Sequence, residues 1–169
     1  MKVAGGLLLM IAAVYTALIR IDVMKKRKDT LKAAKDALYS LANELSLSRD
    51  TLGTVFGKLK ESNTGQAALF FTYLAESIAF IGDEDFHGIW TAAAKAAFPD
   101  FTQNEYICFS EPGHVLGRCD VQEQIQTLRR CGENISAKYK MLSEEYPGKR
   151  KLTLGLCCAG GAMLVILLA

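Results

Sequence analysis

Three groupings of side chains in this 169-residue chain have the types that metal, acid–base or thiol chemistry uses. Cys119 and Cys131, with His114 close by in sequence, have the chemistry of zinc ligands. On a helix the twelve-residue step between those thiols spans roughly 18 Å, too far to share one ion. Cys108 supplies no paired chelate by spacing alone, so no metal centre is expected. The thiols read instead as buried or half-buried free cysteines in a reducing compartment. The run Asp83-Glu84-Asp85, followed by His87, could be a metal or acid–base cluster of a membrane-bound enzyme. The same acids suit a helix N-terminus, where they meet the macrodipole and cap free N–H groups, leaving His87 an ordinary surface or half-buried residue. Glu144 and Glu145 stand beside Tyr146, but adjacent helical residues do not face one another, which makes them a poor acid–base pair. The phosphate-binding loop G-x-x-x-x-G-K-[ST], and the patterns G-x-S-x-G, H-E-x-x-H and C-x-x-C, are all absent. The residues therefore point to a chain without a catalytic constellation, a metal or a cofactor.

The elements that would position these side chains begin with two apolar runs. Val3–Ile19 and Leu152–Ala169 are 17 and 18 residues without a charge. Each is near the length of a bilayer-spanning helix, and neither has the polar face of a buried soluble one. The expectation is a transmembrane helix over 3–21 and another over 152–169. A cleavable signal peptide is the alternative for the first run. Charge sorts with these runs. Residues 29–148 carry 11 Lys/Arg against 17 Asp/Glu, whereas the remainder carries nine basic residues against Asp22 alone. The basic clusters Lys25–Lys28 and Lys149–Lys151 flank the runs on the inner side, which places residues 22–148 in the cytoplasm. A net charge of only +2 argues against a nucleic-acid partner.

Between the runs the spacing is helical throughout. Leu31, Ala34, Leu38, Leu41 and Leu45 form a seam on a first helix, roughly 23–46, which continues from the first run because no Gly or Pro separates them. Ser48 is placed to cap a second helix carrying Leu52, Val55, Phe56 and Leu59, and SNTG at 62–65 breaks it. A third carries Ala67, Phe70, Phe71, Leu74 and Ile78 and ends at Gly82. Trp90 lies in the i, i+4, i+7 stripe of a fourth helix that stops at Pro99, which makes it core rather than a ligand platform. Thr102 and Glu105 form a capping box with Phe101 and Tyr106 as its hydrophobic staple, opening a short fifth helix that ends near Glu111-Pro112-Gly113. Asp120 and Glu123 resemble a second capping box. The sixth helix follows, with Val121, Ile125, Leu128, Gly132, Ile135, Tyr139, Leu142 and Tyr146 inward, until Pro147-Gly148 ends it. The first and last helices should run antiparallel, and each is on the order of 35–40 Å long. The expected fold is all-α: a six-helix cytoplasmic bundle flanked by an N-terminal and a C-terminal transmembrane helix.

One stretch rises above generic helix. Gly113 to Gln124 reads G-x-x-L-G-x-x-D-x-x-x-Q, with Leu116, Gly117, Asp120 and Gln124 at its marked positions. Upstream stand Leu38-x-x-Leu41-x-x-Glu44-Leu45, then Thr51-Leu52, and later Trp90. In this order, between two terminal apolar runs, the chain resembles the stage III sporulation protein AB family of endospore-forming bacteria. The soluble domain of that family is similar to the cytoplasmic domains of the type II secretion and type IV pilus platform protein. The resemblance implies a non-enzymatic, multi-pass protein of the mother-cell membrane around the forespore. Its implied partners are the other stage III channel proteins, including a secretion-type ATPase, with no small-molecule substrate. An assembly platform of a general secretion or pilus-like system is the alternative. Glu44, Trp90, Leu116, Gly117, Asp120 and Gln124 are the positions carried over, as structural residues or partner contacts. Physically, Gly117 would permit a tight turn, Leu116 would plug the core, Asp120 would cap the long helix, and Gln124 sits one turn along it.

Overall fold

Helix is the only regular structure among the described residues, as the spacing predicts. A computed structural model describes the backbone of residues 2–48, 50–78 and 85–168, and the side chains of 15–16, 19, 21–48, 50–78 and 85–144. The elements are α1 (Lys2–Leu47), α2 (Leu52–Ser62), α3 (Gly65–Ile78), α4 (Phe86–Ala97), α5 (Gln103–Ser110), α6 (Pro112–Val115) and α7 (Val121–Leu168). The chain divides into two compact units, one formed by Asp29–Tyr139 and the other by the two ends, Met1–Lys28 with Lys140–Ala169.

In the unit of the ends the backbone is helical through both apolar runs. Most side chains of those runs lie outside the described residues, and so does the membrane-spanning expectation for 3–21 and 152–169. Among the described residues no helix is long and apolar enough to cross a membrane. One expectation is corrected here: Pro147-Gly148 does not end the last helix, because α7 runs on to Leu168. A proline inside a helix removes one backbone hydrogen bond and bends the axis, while the flanking turns keep theirs.

In the Asp29–Tyr139 unit the predicted seam of α1 is buried in full: Leu31, Ala34, Leu38, Leu41 and Leu45, widened by Ala37 and Ala42. The α1 and α7 segments lie antiparallel here. The Lys35 ammonium sits 5.4 Å from the Tyr139 ring centroid, and Tyr39, further along α1, meets Gly132, further back on α7. Ile125, Leu128, Cys131 and Ile135 carry the buried face of α7. Val121 does not join it and is 48% exposed, since the first residue of the helix lies beyond the edge of the core.

Two further boundaries differ from the sequence expectation. Ser48 does not cap α2: its N–H still bonds the Glu44 carbonyl at 2.9 Å, extending the last turn of α1, and Thr51 takes the cap position. The described core also has one more helix than expected, the four-residue α6. Pro112 reads as a breaker in sequence, yet it occupies the first turn of α6, where its missing N–H costs nothing. The end of the third helix at Gly82 lies outside the described residues.

Around this frame α2 packs on α3, α3 on α4, and α4 on α5 and α6. Their shared interior is aromatic. Phe70 lies 4.9 Å from the Trp90 ring, 5.3 Å from Phe109 and 5.5 Å from Phe71 and Phe98, with edge-on or tilted rings as the ring quadrupoles prefer. Trp90 is fully buried, and its indole N–H donates to the Phe109 carbonyl at 2.6 Å, so its one polar group is satisfied. The capping box at α5 forms as predicted, with the Thr102 N–H donating to Glu105 Oε2 at 2.6 Å. The staple forms as well, with Phe101 and Tyr106 rings 5.4 Å apart. The Tyr106 hydroxyl donates to the Phe98 carbonyl at 2.7 Å, which ties α5 back to the end of α4.

Truncation of Trp90 to Ala should destabilise the protein by about 3–5 kcal/mol. Trp90→Phe keeps a ring but leaves the Phe109 carbonyl unmet, and should cost about 1–3 kcal/mol. Urea unfolding followed by far-ultraviolet circular dichroism measures both, and the order Ala worse than Phe is the expected result.

Candidate functional site

The motif positions meet at the turn between α6 and α7, and local geometry explains each residue type. Gly113 lies against Trp90: a Cβ there would sit 3.0 Å from the Trp90 Cβ and Cγ, closer than packed atoms tolerate. Leu116 follows as a buried plug, with its N–H bonded to the Pro112 carbonyl at 3.0 Å. Gly117 has a φ of +76°, a region that costs residues with a Cβ, and an added Cβ would stand 3.3 Å from Leu52 Cδ1 at the start of α2. The chain then enters α7, where Asp120 Oδ2 accepts the Gln122 N–H at 3.1 Å. One turn along, the nearly buried Gln124 reaches back. Its Oε1 accepts the Gly117 N–H at 3.4 Å and its Nε2 donates to the Cys119 carbonyl at 2.7 Å. One amide side chain thus satisfies both an N–H and a C=O of a turn that has no ladder of its own.

Glu123 does not close the expected second capping box in its reciprocal form. Its carboxylate is a partner of the Cys119 thiol, and burial together with that charge pushes the thiol up from its ordinary range. Glu44 stands apart from the turn. It holds the Lys58 ammonium at 3.4 Å, which also grips Asp50 at 2.6 Å and is raised by those two bonds.

Around the turn lies a polar surface. Asp85, at the N-cap of α4, pairs with Arg118 rather than with its own helix. His87 and His114 stack face to face with centroids 3.6 Å apart and planes at 12°. Burial and the neighbouring His114 hold the His87 imidazole below its ordinary range, Arg118 adds to the effect, and Asp85 opposes it.

The structure brings Trp90, Leu116, Gly117, Asp120 and Gln124 into one lock, with Glu44 elsewhere. The sequence reading missed two juxtapositions. His87 meets His114, and Cys108, which spacing left without a partner, has its Sγ 3.7 Å from Cys131 Sγ. Neither has a local signal, because each joins residues more than twenty positions apart on different helices. No group of three or more His, Cys, Asp or Glu side chains able to hold a metal occurs among the described residues. Asp83 and Glu84 of the suggested acidic cluster lie outside them. The Asp85–His87 grouping holds an arginine, Arg118, and a second histidine, His114.

Comparison with known proteins bears on this arrangement. A family model, Stage III sporulation protein AB, matches residues 2–169. A solved structure of a stage III sporulation protein AB superposes with a TM-score of 0.61 at 16% identity, covering 72% of this chain and 96% of that one. That likeness establishes the shared helical fold. No curated protein matches the sequence.

Gly117→Ala should destabilise the fold by about 1–2 kcal/mol through its backbone conformation. Gln124→Leu should cost about 1–3 kcal/mol by leaving the Gly117 N–H and Cys119 C=O unmet. Urea midpoints check both. The histidine stack makes stability pH-dependent. A depressed imidazole pKa favours the neutral form in the folded state, so its contribution is present above the unfolded value near 6.5 and is lost as pH falls through the folded value. The thermal midpoint should therefore fall on acidification below about pH 6.5. In His87→Gln that slope should flatten, as a melting series across pH will measure.

Proposed function

This chain belongs to the stage III sporulation protein AB family, and from that premise we propose that it serves sporulation as a non-enzymatic membrane scaffold that recruits or anchors a secretion-type ATPase. The observation that carries this reading is the course of α1 and α7. Each is continuous from a charge-free apolar run into the Asp29–Tyr139 unit. A helical module held by two such helices suits an anchoring role, since it offers an assembly partner a folded surface attached at both ends. The basic clusters at Lys25–Lys28 and Lys149–Lys151 favour a cytoplasmic position for the module and membrane spans on either side. The acidic balance of residues 29–148 favours a basic partner face. The surface around the α6–α7 turn, with Asp85, His87, His114 and Arg118, is where we place the contact.

The test is a clean deletion in the source organism, scored as heat-resistant spore yield after induced sporulation. A large loss, restored by the intact gene, is the expected outcome. In the same strain an affinity-tagged full chain should retain the ATPase, and a charge reversal, Asp85→Lys, should release it without lowering the amount of scaffold. An unchanged spore yield in a competent spore-former would move the reading to an assembly platform of a general secretion or pilus-like system.

A further inference from the structure

Cys108 and Cys131 are brought together by packing rather than by spacing. Cys108 lies on the last turn of α5 and is half-buried, whereas Cys131 lies inside the buried face of α7. Their sulfurs are 3.7 Å apart, and the Cys131 thiol also donates to the Cys108 carbonyl at 3.2 Å. A disulfide needs about 2.05 Å between sulfurs, so the pair starts within about 2 Å of bonding distance. Asn134, one turn further along α7, donates its amide to Cys108 Sγ at 3.7 Å. The Glu111 carboxylate is held by Arg130.

We infer that Cys108 and Cys131 form a dithiol site for oxidation by hydroperoxides, in which Cys108 takes the oxidant and Cys131 resolves it into a disulfide joining α5 to α7. Two independent features divide the roles. Accessibility makes Cys108 the sulfur that meets solvent, since Cys131 is fully buried. The hydrogen-bonding also favours a thiolate there. The thiol of Cys131, the Asn134 amide and the Lys138 charge together bring Cys108 down to about 6 against burial and Glu111, while the same pairing and burial push Cys131 up.

The chemistry balances in two steps. The Cys108 thiolate attacks one peroxide oxygen, the O–O bond breaks, and the departing oxygen leaves as an alcohol or water after taking a proton from solvent. Cys108 is then a sulfenic acid, oxidised by two electrons. The Cys131 sulfur attacks the Cys108 sulfur, the S–O bond breaks, and the Cys131 proton leaves with that oxygen as water. Two thiols and one hydroperoxide thus give one disulfide, one alcohol or water and one further water. The bond closes a loop that contains α6 and the Gly117 turn, so oxidation fastens the lock described above.

The experiment uses the reduced full chain purified in detergent and treated with hydrogen peroxide. Peptide mapping by mass spectrometry and labelling with dimedone, a sulfenic-acid trap, are the readouts. The expected result is an intramolecular Cys108–Cys131 link, formed before Cys119 is modified. Cys131→Ser should then leave dimedone label on Cys108, and Cys108→Ser should protect Cys131 from oxidation. Cys119 is the internal comparison, as a second half-buried free thiol, set beside a carboxylate, Glu123, instead of a second sulfur. Oxidation of Cys108 no faster than Cys119, or its consumption into chain-to-chain disulfides, would overturn the inference. The wild-type map alone decides this if either serine variant fails to fold.

Discussion

The indole of Trp90 is the constraint on which the rest of the core depends. It is the largest buried side chain, it joins an aromatic cluster drawn from α3, α4 and α5, and its N–H has a partner in the Phe109 carbonyl. A ring of that size admits only glycine against one face, which fixes Gly113 and with it the course of α6. Leu116 then plugs the core, the chain reverses through Gly117, and α7 begins under Asp120. The spacing of the motif is thus the imprint of one packed ring followed by one turn.

The turn needs a second support, since its backbone groups cannot pair within a helix. Gln124 supplies it from the first turn of α7, while Arg118 and Asp85 tie the outside of the same loop to the start of α4. The interior holds the turn by exclusion of volume, and the exterior holds it by charge. Exposed ion pairs of this kind contribute little to stability on their own. They set which charges are presented together on the face of the turn.

Much of this was legible in the residue order. The 3, 4, 3, 4 steps from Leu31 to Leu45 encode a buried seam directly, as do the capping box at Thr102 and the staple of Phe101 on Tyr106. The membership of the turn was visible as a pattern, though the pattern alone did not reveal that Gln124 bridges Gly117 and Cys119. Boundaries were less legible where one residue type serves two purposes. Pro112 starts a helix instead of stopping one, Pro147 stands within a helix, and Ser48 extends α1 instead of opening α2. The meetings of Cys108 with Cys131 and of His87 with His114 could not be read at all, because they depend on which faces of separate helices turn toward each other.

The antiparallel pairing of α1 with α7 sets an order of events during synthesis. Lys35 and Tyr139 touch although roughly a hundred residues separate them, and closing a loop of that size costs about 4 kcal/mol in chain entropy. The seam from Leu31 to Leu45 leaves the ribosome early, whereas Gly132 and Tyr139 leave it late. Until then the nascent chain carries an uncovered stripe of leucine and alanine beside a second, wholly apolar segment. The α2–α3 and α3–α4 contacts join neighbours in sequence and can form in the interval. The time that α7 takes to arrive therefore governs how long that stripe stays open to misassociation.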